Sequence, residues 1–278
     1  MTREERIVAL AQAIGTDVRA LLARSHQNLL YNASFQMNQR AVAPGRFEAG
    51  AYTLDRWKAG SSGCTLAFAA GAAPRSVQIT DGSLLQILPT DDLELGRQYT
   101  LSWTGNAQAR IGSGVYSASP ITFTQDIANL QIEFTAGTVS EPMLGIGSIA
   151  GFYEPEPPSV NLQRCARFFF AYSGQRGLNP RATLLFFRTY FVAVGKWTIP
   201  VPTLMRATPT ITYTQRLSAY FTTSSRAYDP IMGFYAYSCG PSSVEGDVFF
   251  AFDVPANAIG QICGKGGETP VMYFNAEL

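Results

Sequence analysis

Residues 99–104 read Tyr-Thr-Leu-Ser-Trp-Thr, and residues 130–135 read Leu-Gln-Ile-Glu-Phe-Thr. In both stretches, apolar residues alternate with polar ones. This period of two is typical of an antiparallel strand with one face on a core and the other in water. Turn signals separate such stretches at residues 43–45, 60–63, 81–82 and 112–114. Residues 28–153 are therefore predicted to form a jelly-roll-like β-sandwich, in a protein that is mainly β.

Residues 2–24, upstream of the strands, carry a helical pattern. Thr2 and Glu5 have the spacing of a capping box, in which each residue caps the backbone of the other. Two interpretations of the helix are open: it associates with copies of itself, or it packs on its own β domain. We favour association, so residues 1–27 are predicted to serve oligomerisation or attachment. The apolar positions on one helical face are Ile7, Leu10, Ile14, Val18 and Leu21.

A second β-rich region follows a stretch rich in proline. Residues 154–160 begin with the run Glu-Pro-Glu-Pro-Pro and are predicted to be a stiff linker, since proline fixes its own φ and restricts the residue before it. Residues 161–278 are predicted to form a C-terminal β domain. Near its start, Ser159 is a plausible N-cap, and Leu162, Cys165 and Phe169 are spaced to share one helical face.

Charge and hydropathy argue against two classes of partner. The 278 residues include 21 basic and 20 acidic ones, for a net charge of +1, so nucleic-acid binding by a basic surface is not expected. The sequence has no run of about 18 apolar residues, so membrane insertion is not expected either. The first 15 residues lack the apolar region of a signal peptide, which favours synthesis in a cytoplasm. The low charged fraction, 15%, mildly favours a homo-oligomer.

The sequence predicts no catalytic residue, cofactor or metal. The four cysteines (64, 165, 239 and 263) lie far apart and His26 is the single histidine, so no usual zinc ligand set is present. Four buried small cysteines are expected instead. The glycine-rich residues 260–266 miss the spacing of a phosphate loop and are predicted to be a turn. His26 is interpreted as a structural residue, and the acids Asp91, Asp92, Asp229 and Glu245 as ordinary turn residues.

Residues 28–44 read NLLYNASFQMNQRAVAP, and residues 52–57 read YTLDRW. This stretch resembles the opening of a β-sandwich module in tail fibres and receptor-binding proteins of tailed bacterial viruses. Residues 37–40 read MNQR where that family usually has Trp-Gln-Arg-Gly. Residues 95–103 are similar to a strand of carbohydrate-binding jelly-roll modules. Residues 205–211 (MRATPTI) and 272–278 (MYFNAEL) resemble phrases from the C-terminal domains of the same tail proteins.

The resemblance implies a homotrimer in a virion tail, made in the cytoplasm of a bacterial host. It also implies that the N-terminal helix contacts other tail or baseplate proteins. By the same resemblance, the C-terminal domain, residues 161–278, is the candidate receptor-binding tip that recognises a host surface glycan or protein. Two alternatives stay open: a purely structural baseplate component with no receptor, and a carbohydrate-active enzyme with two acids across a cleft.

Residues 220–237 are the sequence's candidate for receptor contact. The segment mixes aromatic residues with Ser, Thr and Arg, a composition used in binding loops. Aromatic residues also favour strands, so a core role for some of them is open. The first candidates for exposed receptor contacts are Tyr220, Arg226 and Tyr228.

Overall fold

The fold is described from a computed structural model. It describes residues 2–24, 28–69, 76–126, 128–173, 183–191, 193–213, 217–221, 227–228, 231–250, 259–264 and 270–277. These residues form antiparallel sheets with one long N-terminal helix, so the predicted mainly β fold class is confirmed. The chain divides into two compact units, Met1–Asn161 and Leu162–Glu277.

Unit 1 begins with the long helix and continues as eight strands. Its elements are α1 (Arg3–Arg24), β1 (Gly45–Phe47), β2 (Lys58–Ala67), β3 (Ser76–Leu88), a 3₁₀ turn (Thr90–Asp92), β4 (Gln98–Thr104), β5 (Ala109–Ile111), β6 (Ile121–Thr124), β7 (Leu130–Phe134) and β8 (Gly137–Ile146). A second helix, α2 (Pro158–Ala166), crosses the boundary to unit 2.

Strand β3 organises the sheet of unit 1. The main strand order is β1-β2-β3-β8-β4-β6, and β7 joins β3 to β5. The first part of β3, residues 76–79, pairs with β8, whereas its last part, residues 84–88, pairs with β7. Strand β3 thus pairs with both β8 and β7 along the same edge, and its partner changes between residues 79 and 84, around Gly82.

Two of the predicted turns are wrong, because their glycines lie inside long strands. Residues 60–63 belong to β2 and residues 81–82 to β3, and the β2–β3 register shifts between Ala59 and Cys64. Gly63 and Gly82 have φ of 79° and 73°, which non-glycine residues rarely adopt. A Cβ at Gly82 would lie 2.0 Å from the carbonyl oxygen of Gly63. These glycines therefore form bulges that bend the two strands together, and a bulge has much the same sequence as a turn.

The alternating stretches point into the core as predicted. Tyr99, Leu101 and Trp103 are buried, and so are Leu130, Ile132 and Phe134. An aromatic cluster lies at the centre: the ring centroid of Trp57 is 5.0 Å from that of Phe35 and 6.1 Å from that of Phe134. The opening segment therefore supplies part of the core itself.

Two asparagines fix the opening segment. Asn28 accepts hydrogen bonds from the backbone N–H groups of Leu30 and Leu144, and its Nδ2 donates to the carbonyl of Pro142. The amide of Asn32 donates to the carbonyls of Met37 and Asp55 and accepts from the N–H of Met37. Both are buried, so they satisfy backbone groups that would otherwise be buried without partners.

Helix α1 has the predicted extent and cap. The N–H of Thr2 donates to Glu5 Oε2 at 2.7 Å, and the N–H of Glu5 donates to Thr2 Oγ1 at 3.2 Å. The apolar side chains of Ile7, Leu10 and Ile14 are 58%, 62% and 53% exposed, and Val18 is exposed as well. The side chain of Leu21 lies outside the described part. The sandwich of the same chain thus leaves these four apolar side chains in solvent.

Unit 2 contains the end of α2 and ten strands within the described residues. They are β9 (Phe169–Ser173), β10 (Thr183–Phe191), β11 (Val194–Pro200), β12 (Thr210–Tyr213), β13 (Leu217–Phe221), β14 (Ala227–Tyr228), β15 (Ile231–Cys239), β16 (Ser243–Phe250), β17 (Ile259–Gly264) and β18 (Val271–Asn275).

Two sheets share the core of unit 2. The larger has the order β14-β13-β17-β10-β11-β16-β15, and the smaller β12-β18-β9. Trp197 from the larger sheet packs on Phe274 from the smaller, with 6.2 Å between ring centroids. Gly246 allows this packing, since a Cβ there would lie 2.5 Å from the indole.

Two local predictions for the C-terminal region are corrected. Helix α2 starts at Pro158, so Ser159 is inside the helix rather than its N-cap, and Phe169 belongs to β9 rather than to the helical face. The predicted turn at residues 260–266 is wrong for residues 260–264, which belong to strand β17 and pair with β10 and β13; residues 265 and 266 lie outside the described part. Proline at the first turn explains the first correction, because its fixed φ suits a helix start.

Three of the four cysteines are buried as expected, and Cys239 is partly exposed. No helix in the described ranges is long and apolar enough to cross a membrane.

Candidate functional site

One row of side chains crosses unit 1 on a single face. Tyr52 pairs with Lys58 through an isolated bridge, Lys58 lies opposite Leu85, Leu85 opposite Glu133, and Glu133 opposite Arg110. Residues opposite each other in an antiparallel sheet project to the same side. With neighbouring strands about 4.8 Å apart, the row spans roughly 19 Å. Tyr116 extends it, because its ring lies beside Arg110. We call these six residues the tyrosine-flanked row.

The tyrosine-flanked row lies on the face opposite the core. Along β7, Leu130, Ile132 and Phe134 are fully buried, and Glu133 alternates with them. Leu85 and Glu133 form the floor, at 7% and 3% exposure, while Tyr52, Lys58, Arg110 and Tyr116 are half-buried. Gly60 leaves room for this arrangement, since a Cβ there would lie 2.0 Å from Ser83 Oγ. The middle of the row is therefore a recessed surface that carries polar groups, and a tyrosine lies at each end of it.

Glu133 is the hydrogen-bonding centre of the row. Its Oε1 accepts from Ser83 Oγ at 2.6 Å. Its Oε2 accepts from Arg110 Nε at 2.9 Å, from Arg110 Nη2 at 2.7 Å and from Gln131 Nε2 at 3.1 Å. Arg110 is thereby held in one orientation by a charge-assisted pair of bonds.

These contacts decide the charge of Glu133. Burial by itself raises the pKa of Glu133, but hydrogen bonds from Ser83 and Arg110, the charge of Arg110 and a hydrogen bond with Tyr116 outweigh it, so the pKa lies below the ordinary value. The pKa of Tyr116 is raised, first by burial and then by the charge of Glu133. At neutral pH, Glu133 is ionised and Tyr116 is a neutral phenol.

Cations hold both terminal tyrosines. Arg40 Cζ lies 4.8 Å from the ring centroid of Tyr52, and Lys58 Nζ lies 5.5 Å from it. At the other end, Arg110 Cζ lies 4.6 Å from the centroid of Tyr116. Distances under about 6 Å are attractive cation–π contacts. The tyrosines are thus oriented before any ligand arrives.

The row suits binding of a polar, extended ligand. Each tyrosine combines apolar area with a hydroxyl, and Lys58, Arg110 and Gln131 add donors between them. Glu133 is already engaged by Ser83, Arg110, Gln131 and Tyr116, which makes it an orienting group rather than a proton donor. Within the described ranges, no group of three or more His, Cys, Asp or Glu side chains is placed to hold a metal ion.

The residues predicted for receptor contact fall largely outside the described part. Arg226 does so entirely, as do the side chains of Tyr220 and Tyr228. The backbones of the two tyrosines are paired in adjacent rows: Tyr220 with Ala227 and Gln261, Tyr228 with Ala219. The prediction that these residues contact a receptor stays a prediction.

The titratable residues weighed as catalytic candidates are scattered. His26 and Asp229 lie outside the described residues. Asp92 accepts a hydrogen bond from the hydroxyl of Tyr31, and Asp91 is its neighbour in the 3₁₀ turn. Glu245 lies in strand β16 of unit 2, so its interpretation as a turn residue is wrong.

Sequence reasoning missed the tyrosine-flanked row. One local signal exists: Gln131 and Glu133 are consecutive polar positions on the outer face of β7. The partners of Glu133 come from other strands. Ser83, in β3, is 50 residues from it along the chain, and Arg110, in β5, is 23 residues from it. Only strand pairing brings these side chains together, so no spacing in the sequence predicts the row.

No protein-family model and no curated protein sequence matches the chain.

Proposed function

We propose that this protein is a receptor-binding protein of a virion tail, of the tail-fibre type, which assembles as a homotrimer and binds a host surface glycan without cleaving it. The observation that carries the binding role is the tyrosine-flanked row, with oriented tyrosines at both ends of a polar centre. Preorganised aromatic and polar groups lose little conformational entropy on binding.

The opening segment, residues 28–57, is consistent with the fold of such a protein but does not identify its receptor. Asn28, Asn32 and Trp57, which carry the resemblance to tail proteins, are all buried and hydrogen-bonded to backbone groups. They stabilise the sandwich and do not face a ligand. Receptor choice therefore rests with other residues.

Helix α1 supports assembly. Ile7, Leu10, Ile14 and Val18 are exposed on one face of the helix in the single chain, and an amphipathic helix of 22 residues is marginal unless its apolar face is covered. Three copies would cover each other's faces and could also engage tail or baseplate proteins. A trimer would present three glycan sites, so weak single contacts add to a high avidity.

The charge state of Glu133 supports binding over cleavage. A glycosidase needs one carboxyl that is protonated at working pH, and the pKa of Glu133 is lowered instead. Its oxygens accept from Ser83, Arg110 and Gln131, which favours a structural carboxylate at the floor of a binding surface.

The test is a glycan array probed with the full chain, followed by affinity measurements on the best glycan. Tyr52→Ala and Tyr116→Ala are expected to weaken binding about tenfold each, the size of a modest hot spot. Val115→Ala is the matched control, because Val115 adjoins Tyr116 and is 88% exposed.

Two results would contradict the proposal. If no glycan binds, or the tyrosine variants bind as tightly as the valine variant, the row has no receptor role and a structural tail component becomes the better interpretation. If the bound glycan is recovered shortened, the protein is an enzyme.

A further inference from the structure

Three exposed aromatic side chains lie on the outer face of the large sheet of unit 2. Tyr235 is 61% exposed, Tyr190 is 42% exposed and Phe249 is 41% exposed. Residues next to them along their strands, among them Thr189 and Val248, are buried. Successive side chains of a strand point to opposite faces, so the three rings point away from the core. We call Tyr190, Tyr235 and Phe249 the aromatic patch.

Strand pairing places two of these rings beside an open position. Phe249 of β16 lies opposite Gly233 of β15, and Asp247 lies opposite Tyr235. These four residues therefore project to one side of two adjacent strands. No atom of the described residues lies within 4 Å of a Cβ built on Gly233. The aromatic patch thus contains a gap the size of one side chain, which Phe249 and Tyr235 flank.

The third ring, that of Tyr190, is held across the sheet. Its hydroxyl donates a hydrogen bond to Asp247 Oδ2 at 2.8 Å. Tyr190 is in β10 and Asp247 is in β16, and β11 lies between these strands, so the ring crosses β11 to make this bond. Tyr190 is therefore oriented before a ligand arrives, which lowers the entropic cost of binding. Asp247 Oδ1 has no hydrogen-bond partner among the described residues, and a ligand hydroxyl would supply the missing donor.

The charges on this face balance. Among the described residues, Arg188 and Lys196 are its cations, and Glu245 and Asp247 are its carboxylates, both on the outer face of β16. Lys196 lies directly opposite Asp247. Two cations and two carboxylates leave no net charge, so a charged ligand would gain little here. A neutral ligand that both donates and accepts hydrogen bonds suits the face better.

We infer that the aromatic patch is a binding site for a neutral saccharide, with one sugar ring in the gap at Gly233, between Phe249 and Tyr235. A pyranose ring has apolar C–H faces and a rim of hydroxyl groups, so it needs flat apolar surface beside hydrogen-bonding groups. Phe249 and Tyr235 supply the apolar surface. Asp247 and the hydroxyl groups of the two tyrosines supply the hydrogen-bonding groups.

The area of the aromatic patch favours a sugar over a protein partner. An aromatic side chain presents about 200 Å², so the exposed fractions of the three rings give roughly 300 Å² together. A stable protein interface takes about 800 Å² from each partner, more than half of it apolar. The aromatic patch is too small to supply that area, whereas one or two sugar rings would cover it.

The experiment isolates this site from the one proposed above. The aromatic patch lies in unit 2 and shares no residue with the tyrosine-flanked row, so the two sites stand or fall independently. The full chain carrying Tyr52→Ala and Tyr116→Ala is the background, because these changes weaken the tyrosine-flanked row. Cellotriose, maltotriose and triacetylchitotriose are the neutral probes. Saturation-transfer NMR detects their contact with aromatic protons, and NMR titration gives the affinity.

The expected result is that at least one probe binds the background variant. Adding Tyr235→Ala or Phe249→Ala should weaken that binding about tenfold, and Gly233→Val should do the same by filling the gap while keeping both rings. Ile259→Ala is the matched control. Ile259 is 54% exposed on the same face, but four strands from Tyr235, or roughly 19 Å, so its loss should leave the affinity unchanged. The affinity should also be equal at about 20 mM and about 0.5 M salt, since salt does not screen contacts with a neutral ligand.

Several results would overturn the inference. Failure of all three probes to bind the background variant would do so, and so would an unchanged affinity in Phe249→Ala or Gly233→Val. Binding that falls steeply with salt would assign the face to a charged ligand. A fall in oligomer mass for Tyr235→Ala with Phe249→Ala, measured by light scattering, would assign it to contact between copies. If glycans bind the wild type but not the background variant, the proposed function survives without this second site.

Discussion

Arg110 donates two hydrogen bonds to a single oxygen of Glu133, from Nε at 2.9 Å and from Nη2 at 2.7 Å. The side chain of Glu133 is 4% exposed and that of Arg110 is 30% exposed, so the carboxylate is buried while the guanidinium reaches solvent. The buried carboxylate of Glu133 therefore orients the guanidinium of Arg110, whose positive charge remains accessible to solvent beside Tyr116.

Replacement of Glu133 by glutamine is expected to destabilise the protein by about 1–3 kcal/mol at pH 7, because Arg110 and Ser83 lose an ionised acceptor. A carboxyl whose pKa is lowered on folding stabilises the folded state above its ordinary pKa of 4.5, and this contribution is lost as the pH falls through the lowered pKa. The difference in unfolding free energy between wild type and variant should therefore shrink below about pH 4.5.

Urea unfolding from pH 3 to pH 7 measures that difference. Glu94→Gln is the control, since Glu94 forms an exposed ion pair with Arg97 and should cost under about 1 kcal/mol. A gap between wild type and Glu133→Gln that is the same at every pH would show that the carboxylate charge contributes nothing.

Asn32→Ala is expected to cost roughly 2–4 kcal/mol, because three backbone groups, a buried one of Asp55 and two partly buried ones of Met37, lose their partner. Chemical unfolding monitored by tryptophan fluorescence, to which the buried Trp57, Trp103 and Trp197 all contribute, reports the loss. Asn106→Ala is the comparison: Asn106 also accepts from a backbone N–H, that of Thr138, but at an exposed site, and should cost about 1 kcal/mol or less. Equal costs for the two variants would contradict the structural role given to Asn32.

Gly82→Ala and Gly96→Ala separate backbone strain from steric overlap. Both glycines have positive φ, 73° and 78°, so alanine should cost about 1 kcal/mol at either site. At Gly82 the added Cβ also meets the Gly63 carbonyl oxygen, whereas at Gly96 nothing lies within 4 Å. Thermal unfolding should therefore show a clearly larger drop for Gly82→Ala, and similar drops would argue against the paired bulges of β2 and β3.

Leu10→Asp is expected to disrupt assembly through α1, since it puts a charge on the exposed apolar face. Ala9→Asp, one position along the same helix, adds the same charge beside that face and should leave assembly intact. Light scattering should give about 91 kDa for a trimer of 30.2 kDa chains, for the wild type and Ala9→Asp. Removal of residues 1–27 should have the same effect as Leu10→Asp; a trimer that survives both changes would place assembly in the β units.

Cys239 is expected to be the thiol that reacts fastest with a disulfide reagent in the native protein. Cys64, Cys165 and Cys263 are buried, and burial raises the pKa of Cys64 to about 11, which suppresses its thiolate. A colorimetric thiol assay at pH 8 should show one fast thiol per chain, absent in Cys239→Ser, and four after denaturation. Fast labelling in Cys239→Ser would contradict the burial of the other three.

The sequence by itself determined the class of fold, the first helix and the inward faces of the strands. These features depend on local patterns: the capping pair Thr2 and Glu5, the helical spacing of Ile7 to Val18, and the alternation around Trp103 and Ile132. Such patterns are read within one element, because the side-chain period follows from backbone geometry.

Glycine and proline signals were less decisive. The glycines at 60–63 and 82 predicted turns and instead form bulges, and Pro158 begins a helix where Ser159 was expected to cap one. A glycine shows that the backbone needs an unusual conformation, but the same conformation serves a turn or a bulge. Pairing with a neighbouring strand decides between them.

Only the tertiary structure decided where polar side chains meet. Glu133 meets Ser83 and Arg110, and Lys196 lies opposite Asp247, through strand register across each sheet. A shift of one residue in any pairing would move these side chains to the opposite face. Register depends on the packing of the whole core and on the bulges, so the tyrosine-flanked row is a property of the folded sheet and is encoded in no single segment of the sequence.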